Sequence, residues 1–184
     1  VVAAADAGLE FCLGASVAVP PERLPVTPAK ADDIVEIRPA AERLIATLAA
    51  TAAVRPLAAL FIDYGYLGPA YGETLQAISQ HRYTDPLAAP GEHDLTAHVD
   101  FGALVRLASV ADAQSFGPVT QSAFLGELGI GERARCLAAG KSTRVAVEIA
   151  TAVARLLSPT GMGGRFQAFA IGSPALPQLP GFGT

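Results

Sequence analysis

The 184-residue sequence has no tryptophan, a single methionine (Met162) and only two cysteines, Cys12 and Cys136. Two thiols so far apart, both in apolar segments, are expected to be reduced and buried, not a disulfide framework. No CxxC or HxxxH spacing occurs, so no structural metal site is expected. Charge is scarce too: 16% of residues, with a net charge of −4. A cationic footprint for phosphate backbones is therefore missing, which argues against nucleic acid as a partner. No uninterrupted apolar stretch approaches the roughly 20 residues needed to span a bilayer. No basic segment precedes an apolar one at the start, so no signal-peptide pattern is visible, although a processed precursor would have lost one.

What is abundant is apolar surface, 51% of residues. Such a chain can offset its ordering entropy by burial and is expected to fold. Alanine, about a fifth of the chain, favours helices. Leu9, Phe11 and Leu13 alternate after an Asp6-Ala7-Gly8 turn and predict a hairpin over 1–19. Residues 20–28 are too rich in proline for an element, and Ile34, Val35 and Ile37 suggest a short extended piece. Pro39 is placed to start a helix to about Ala53, with Leu44, Ile45, Leu48 and Ala49 at helical spacing. The run 57–62 is short, continuous and apolar, the pattern of a central strand buried on both faces, and it stops at Asp63. Residues 65–90 read as irregular, with a short helix near 73–80. Asp100 and Thr120 are candidate helix caps. Phe124, Leu125 and Leu128 face inward in the second of these helices, and Gly129 closes it. Residues 131–139 and 142–157 are expected to form two further helices. Residues 165–171 alternate Phe166, Ala168 and Ala170 against Phe169 and Ile171, a last strand. The proline- and glycine-broken tail, 172–184, reads as loose.

Two constellations could carry chemistry. The densest polar run holds His93, Asp94, Thr96, His98 and Asp100. If extended, Asp94, Thr96, His98 and Asp100 share one face by their period of two, a face able to bind a cation or move a proton. The bland reading is that Asp94 holds a turn and Asp100 caps a helix. The second constellation is Asp63, Tyr64, Gly65 and Tyr66 at a strand's end, suited to a cationic or planar group, or else a plain turn with a solvated acid. His81 and Asp85 could join such a pocket or merely stitch the long loop. A GxGxxA pattern at Gly129, Gly131 and Ala134 follows a helix where a dinucleotide fingerprint would follow a strand, so a helix stop and restart explains it better. The glycines at 161, 163 and 164 read as a turn.

The residues resemble a known family. The blocks are Ala59-Leu60-Phe61-Ile62-Asp63-Tyr64-Gly65-Tyr66, Gly72-Glu73-Thr74-Leu75-Gln76, His81 with Asp85-Pro86-Leu87, and Pro90-Gly91 with the run from Asp94 to Phe101. Gly117-Pro118, Thr120-Gln121, Phe124-Leu125, Gly129-Ile130 and Met162-Gly163 with Phe166 continue it. In this order, from about Glu36 to Phe169, they look like the MidA family of class I S-adenosylmethionine methyltransferases, whose mitochondrial member methylates an arginine of a respiratory complex I subunit. The implied fold is α/β, the C-terminal portion of a Rossmann-like methyltransferase with a β-hairpin insertion and a helical insertion. In it residues 1–171 are domain (hairpin 1–19, helix and core strand 39–62, mostly helical insertion 65–160, last strand 165–171) and 172–184 tail. No position matches the family's glycine-rich cofactor loop, so S-adenosylmethionine is expected to be bound mainly by a half absent from this chain, and the initial valine reads as a cut inside a larger enzyme. The chain alone is then expected to be inactive and poorly soluble.

The resemblance implies protein arginine methylation linked to respiratory complex assembly. Asp63, Asp94, His98 and Asp100 are the catalytic candidates, and Tyr64, Gly65, His81, Thr96 and Gln121 the substrate-binding ones. Tyr64 would stack on the guanidinium. The implied partner is a protein, with a complex I subunit as candidate, and a homodimer is allowed. The implied location is the bacterial cytoplasm, or the mitochondrial matrix in a eukaryote. The alternative is a non-catalytic assembly module that holds a partner protein. A metal-dependent hydrolase built on His93, His98 and Asp100 is a third and weaker reading.

Overall fold

The computed structural model describes residues 1–5, 8–111 and 113–183. The chain divides into two compact units, one formed by Val1–Ile37 with Pro69–His98, the other by Arg38–Gly68 with Val99–Thr184.

In the first unit, β1 (Val2–Ala5) and β2 (Gly8–Phe11) make the expected antiparallel hairpin, Val2 opposite Phe11. Its predicted turn at Asp6 and Ala7 lies outside the described residues. A single 3-10 turn, Pro21–Arg23, interrupts the proline-rich stretch. Residues 34–37 join no strand among the described residues; the Ile34 carbonyl accepts from the Gly72 amide at 2.9 Å. The short helix expected near 73–80 is instead a hairpin. β4 (Gln76–Ser79) pairs with β5 (Arg82–Thr84) and, on its other edge, with β6 (Asp94–Thr96), both antiparallel. Gln80 and His81 link the hairpin with φ of 49° and 64°. Two successive left-handed residues match a two-residue type I′ turn, whose twist suits a hairpin and not a helix.

In the second unit, four strands lie in the order β7 (Val99–Asp100), β3 (Ala58–Tyr66), β9 (Phe166–Gly172), β8 (Gln114–Thr120). Only β3 and β7 run parallel, through Gly65 and Tyr66. β9 is antiparallel to both neighbours, from Ala58↔Gly172 to Tyr64↔Phe166 on one side. β8 was not anticipated; it bulges between Phe116 and Val119, around a cis Gly117–Pro118 bond. α1 (Pro39–Ala52) and α2 (Phe101–Val110) cover one face, where Ile45, Ala49, Phe101, Leu104, Ala108, Phe169 and Ile171 form the core. Phe61 stacks on Phe169 at 6.2 Å between ring centres.

The strand buried on both faces is β9, not β3. Ala168 and Ala170 are as buried as Phe169 and Ile171, whereas Leu60 and Ile62 of β3 are 51% and 42% exposed. α1 and α2 cover the odd-numbered side of β3, and Leu60 and Ile62 on the even-numbered side stay partly exposed. The edge of β3 facing β7 is paired only at Gly65 and Tyr66 among the described residues.

α3 (Gln121–Glu127), α4 (Ile130–Ala138), α5 (Thr143–Leu157) and the single turn α6 (Met162–Arg165) complete the unit. Phe124 is buried and Leu128 exposed, so only part of the expected α3 face is inward. The run Thr143–Arg165 is long and apolar enough to cross a membrane by length and composition, and its most apolar 18-residue stretch has no buried residue. The chain nevertheless breaks out of helix at residues 158–161. α5 alone has 15 residues, a rise of about 22 Å against a hydrocarbon layer of about 30 Å. The tail is anchored where looseness was expected. Phe182 packs on Phe124 and Phe116 at 5.2 and 6.0 Å, and the Ser173 hydroxyl accepts from the Leu57 amide at 2.8 Å. The cysteines are not the buried pair expected: Cys12 is half-buried and Cys136 exposed, and both are free thiols.

Candidate functional site

The predicted site residues divide between the two units. In the first, Asp94 and Thr96 share one face of β6, set opposite Ile78 and Gln76 of β4. Asp94 is exposed and Thr96 half-buried, and the Thr96 Oγ1 is a buried atom with no hydrogen-bond partner. His98 follows the end of β6 and is half-buried. Its amide donates to Thr74 Oγ1 at 2.9 Å. His81 sits exposed in the turn between β4 and β5.

A residue that sequence reasoning passed over anchors this unit. The Glu36 carboxylate accepts from the amides of Thr74 at 2.8 Å and Leu75 at 3.2 Å through Oε1, and from the Thr74 hydroxyl through Oε2. The only signal in the sequence was a lone acid between Val35 and Ile37.

In the second unit, Asp63 does not end its strand: β3 runs on to Tyr66. Consecutive strand residues point to opposite faces, so Asp63 and Tyr64 do not converge on one group as expected. Asp63 is half-buried, and its Oδ1 accepts from the Tyr64 amide at 2.8 Å. It is the one acid at a cavity of about 340 Å³ lined by Leu44, Ile45, Leu60, Ile62 and Phe101. The Tyr64 ring packs edge-on against Phe166, 5.4 Å between centres, in place of the open face wanted for stacking. Gly65 has a packing role: a Cβ there would meet the Val99 carbonyl oxygen at 2.1 Å and the Phe101 ring at 2.9 Å.

Asp100 is placed in a different sheet from Asp94 and Thr96, because the chain leaves β6 at Ala97 and enters β7 at Val99. The shared face expected for all four residues therefore stops at Thr96. Asp100 caps α2, its Oδ1 accepting from Ala103 N at 2.9 Å and Gly68 N at 3.3 Å, and its Oδ2 lies 3.7 Å from the Arg106 guanidinium. Both oxygens are thus engaged in structure, as the bland reading held. Loss of a cap costs about 1–2 kcal/mol, so Asp100→Ala is expected to lower stability by about that amount in urea denaturation, and a change below about 0.3 kcal/mol would refute the capping role. Gln121 is likewise structural: it is buried, and its Nε2 donates to the Leu156 carbonyl at 2.9 Å, tying α3 to the end of α5. Among the described residues no group of three metal-ligating side chains converges.

A family model for S-adenosyl-L-methionine-dependent methyltransferases matches residues 4–119. The chain belongs to that family. Within it, the protein named protein arginine methyltransferase NDUFAF7, mitochondrial, of Homo sapiens is 38% identical over 141 residues, 76% of this chain and 31% of that protein. Its Danio rerio counterpart is 34% identical over 137 residues, 74% of this chain and 32% of that one. A crystal structure of a Burkholderia thailandensis protein bound to S-adenosyl-homocysteine superposes with a TM-score of 0.68 at 30% identity, covering 78% of this chain and 38% of that chain. The mixed α/β fold is that of class I methyltransferases, as the sequence implied. The chain spans about a third of the length of the curated relatives it matches.

Proposed function

We propose that this chain is the acceptor-side part of an S-adenosylmethionine-dependent protein arginine methyltransferase. The observation that carries the reading is the structural relative, 30% identical, that binds S-adenosyl-homocysteine, the demethylated product of that cofactor. The names of the mitochondrial relatives supply the acceptor, arginine in a protein; a respiratory complex I subunit is the candidate partner. Among the described residues no strand passes through a glycine-rich turn into a helix, so these residues do not by themselves fit as a cofactor cradle, and no step is assigned to them there.

The reaction breaks a sulfonium carbon–sulfur bond, forms a nitrogen–carbon bond on the guanidinium, and releases one proton from that nitrogen. This chain's residues are assigned to the last two needs, each within its own unit. In the first unit His98 accepts the proton and Asp94 is a carboxylate available to orient the guanidinium. In the second, Asp63 is a separate candidate, a carboxylate at an apolar cavity, the chemistry that holds a guanidinium with an aliphatic stem. Asp100, committed to its helix, takes no part in proton transfer.

The test is methyl transfer to an arginine-bearing protein by the intact enzyme carrying Asp94→Ala and His98→Ala together. A general base contributes about a hundredfold or more, so a fall of that order is expected. A folded double variant at the wild-type rate would sink the assignment. The rival reading, a docking module without chemistry, draws on the missing cradle. Calorimetric titration with S-adenosylmethionine separates the two, since a pure docking module gives no heat.

A further inference from the structure

We propose that Glu36, acting through the Thr74 hydroxyl, is a positioning residue that fixes His98 for proton transfer. This rests on the methyltransferase reading of His98. Three segments distant in sequence meet here: Glu36 reaches Thr74 across 38 residues, and Thr74 reaches His98 across 24.

The direction of every proton in this chain of contacts is determined. An ionised carboxylate only accepts, so the Thr74 O–H must donate to Glu36 Oε2. The hydroxyl oxygen then turns its lone pairs outward, and one of them accepts the His98 amide. Each bond polarises the next, so the carboxylate strengthens the grip on His98 through a residue it does not share with it. Oε1 meanwhile holds two consecutive amides, Thr74 and Leu75, fixing the backbone that presents the hydroxyl. Charge-assisted bonds of this kind are about twice as strong as neutral ones. A neutral residue could tether the loop. The carboxylate adds the charge that strengthens the Thr74 bond.

Thr74→Ser keeps the hydroxyl and Thr74→Val removes it at nearly constant volume. Glu36→Gln keeps one carbonyl oxygen but places a donor against Thr74, which frustrates the hydroxyl. Misplacement of a reacting group by an ångström costs up to about a hundredfold. In the intact enzyme Thr74→Val and Glu36→Gln are therefore expected to lower kcat about 10- to 100-fold with little change in KM for S-adenosylmethionine, and Thr74→Ser to restore most of it. Hydrogen exchange at the His98 amide is expected to quicken about tenfold or more in both damaging variants. Adding Thr74→Val to His98→Ala should cost nothing further, because residues acting as one unit are not additive.

Additive losses in that double variant would mean a merely structural role and overturn the proposal. So would a wild-type kcat in Thr74→Val while His98→Ala is impaired. An unimpaired His98→Ala would instead remove the methyltransferase assignment of His98 itself, and the positioning claim with it.

Discussion

Replacing Phe169 by alanine is expected to lower the unfolding free energy of the four-stranded unit by about 3–5 kcal/mol, the range for truncating a buried aromatic in a core. Phe169 is fully buried at the centre of β9, stacked on Phe61 and surrounded by Ile45, Phe101, Leu104 and Ile171. Two costs combine there: the ring's apolar area returns to water on unfolding in the wild type only, and the void left behind has few ways to close. The strand is held by ladders on both edges, so it cannot slide to fill the space. Because the chain has no tryptophan, urea titration followed by far-UV circular dichroism, with amide exchange in β3 and β9, is the suitable readout. A loss under about 1 kcal/mol would mean that the core collapses freely around the missing ring.

The second large effect is expected at Gly65. Valine there would drive its Cβ into the Val99 carbonyl oxygen, 2.1 Å away, and into the Phe101 ring. The obstacle is backbone, which cannot rotate aside as a side chain can. The strain is expected to exceed about 3 kcal/mol, beyond the usual cost of overpacking. It should act by expelling β7, since Gly65 and Tyr66 are the only residues of β3 that pair with it. Asp100 would then lose its register opposite Tyr66, and with it the anchor that joins Gly68 to the start of α2. Faster exchange at the first amides of α2, with the first unit's β4–β6 amides unchanged, would identify this route. A variant with wild-type stability would refute the close approach.

The elements legible in the sequence were those with local signals. Pro39 in a first turn, and Asp100 and Thr120 accepting from the amide three residues on, each marked a helix start that the structure keeps, and the helix expected from Ser142 begins there. β9 was readable from strict alternation. β8 was not, because Gly117 and Pro118 interrupt the strand pattern exactly where it bulges. The β4–β5 hairpin hid because its left-handed turn is built from Gln80 and His81 in place of the glycine or asparagine that usually announces one. At the site, period two correctly joined Asp94 to Thr96. It failed at Asp100, since a gap of two residues, Ala97 and His98, suffices for the chain to change sheets. It failed also for Asp63 with Tyr64, because a strand's end cannot be read from an acid alone. Glu36 was invisible: its meaning lies in partners 38 residues away.

The long-range ladder between β3 and β9 has a consequence for the order in which the molecule can be made. Ala58 finds its partner in Gly172, and Phe61 its partner in Phe169. During vectorial synthesis β3, α1 and α2 leave the ribosome well before β9 does. Until then Phe61, Ile45 and Phe101 lack Phe169 and Ile171, the β9 residues that complete their core. Pairings this distant in sequence form late and slowly, and a nascent chain that waits with apolar surface uncovered depends on chaperones during the interval. Stalling translation before the codon for Phe166 and probing the nascent chain with protease should therefore find the four-stranded unit still open.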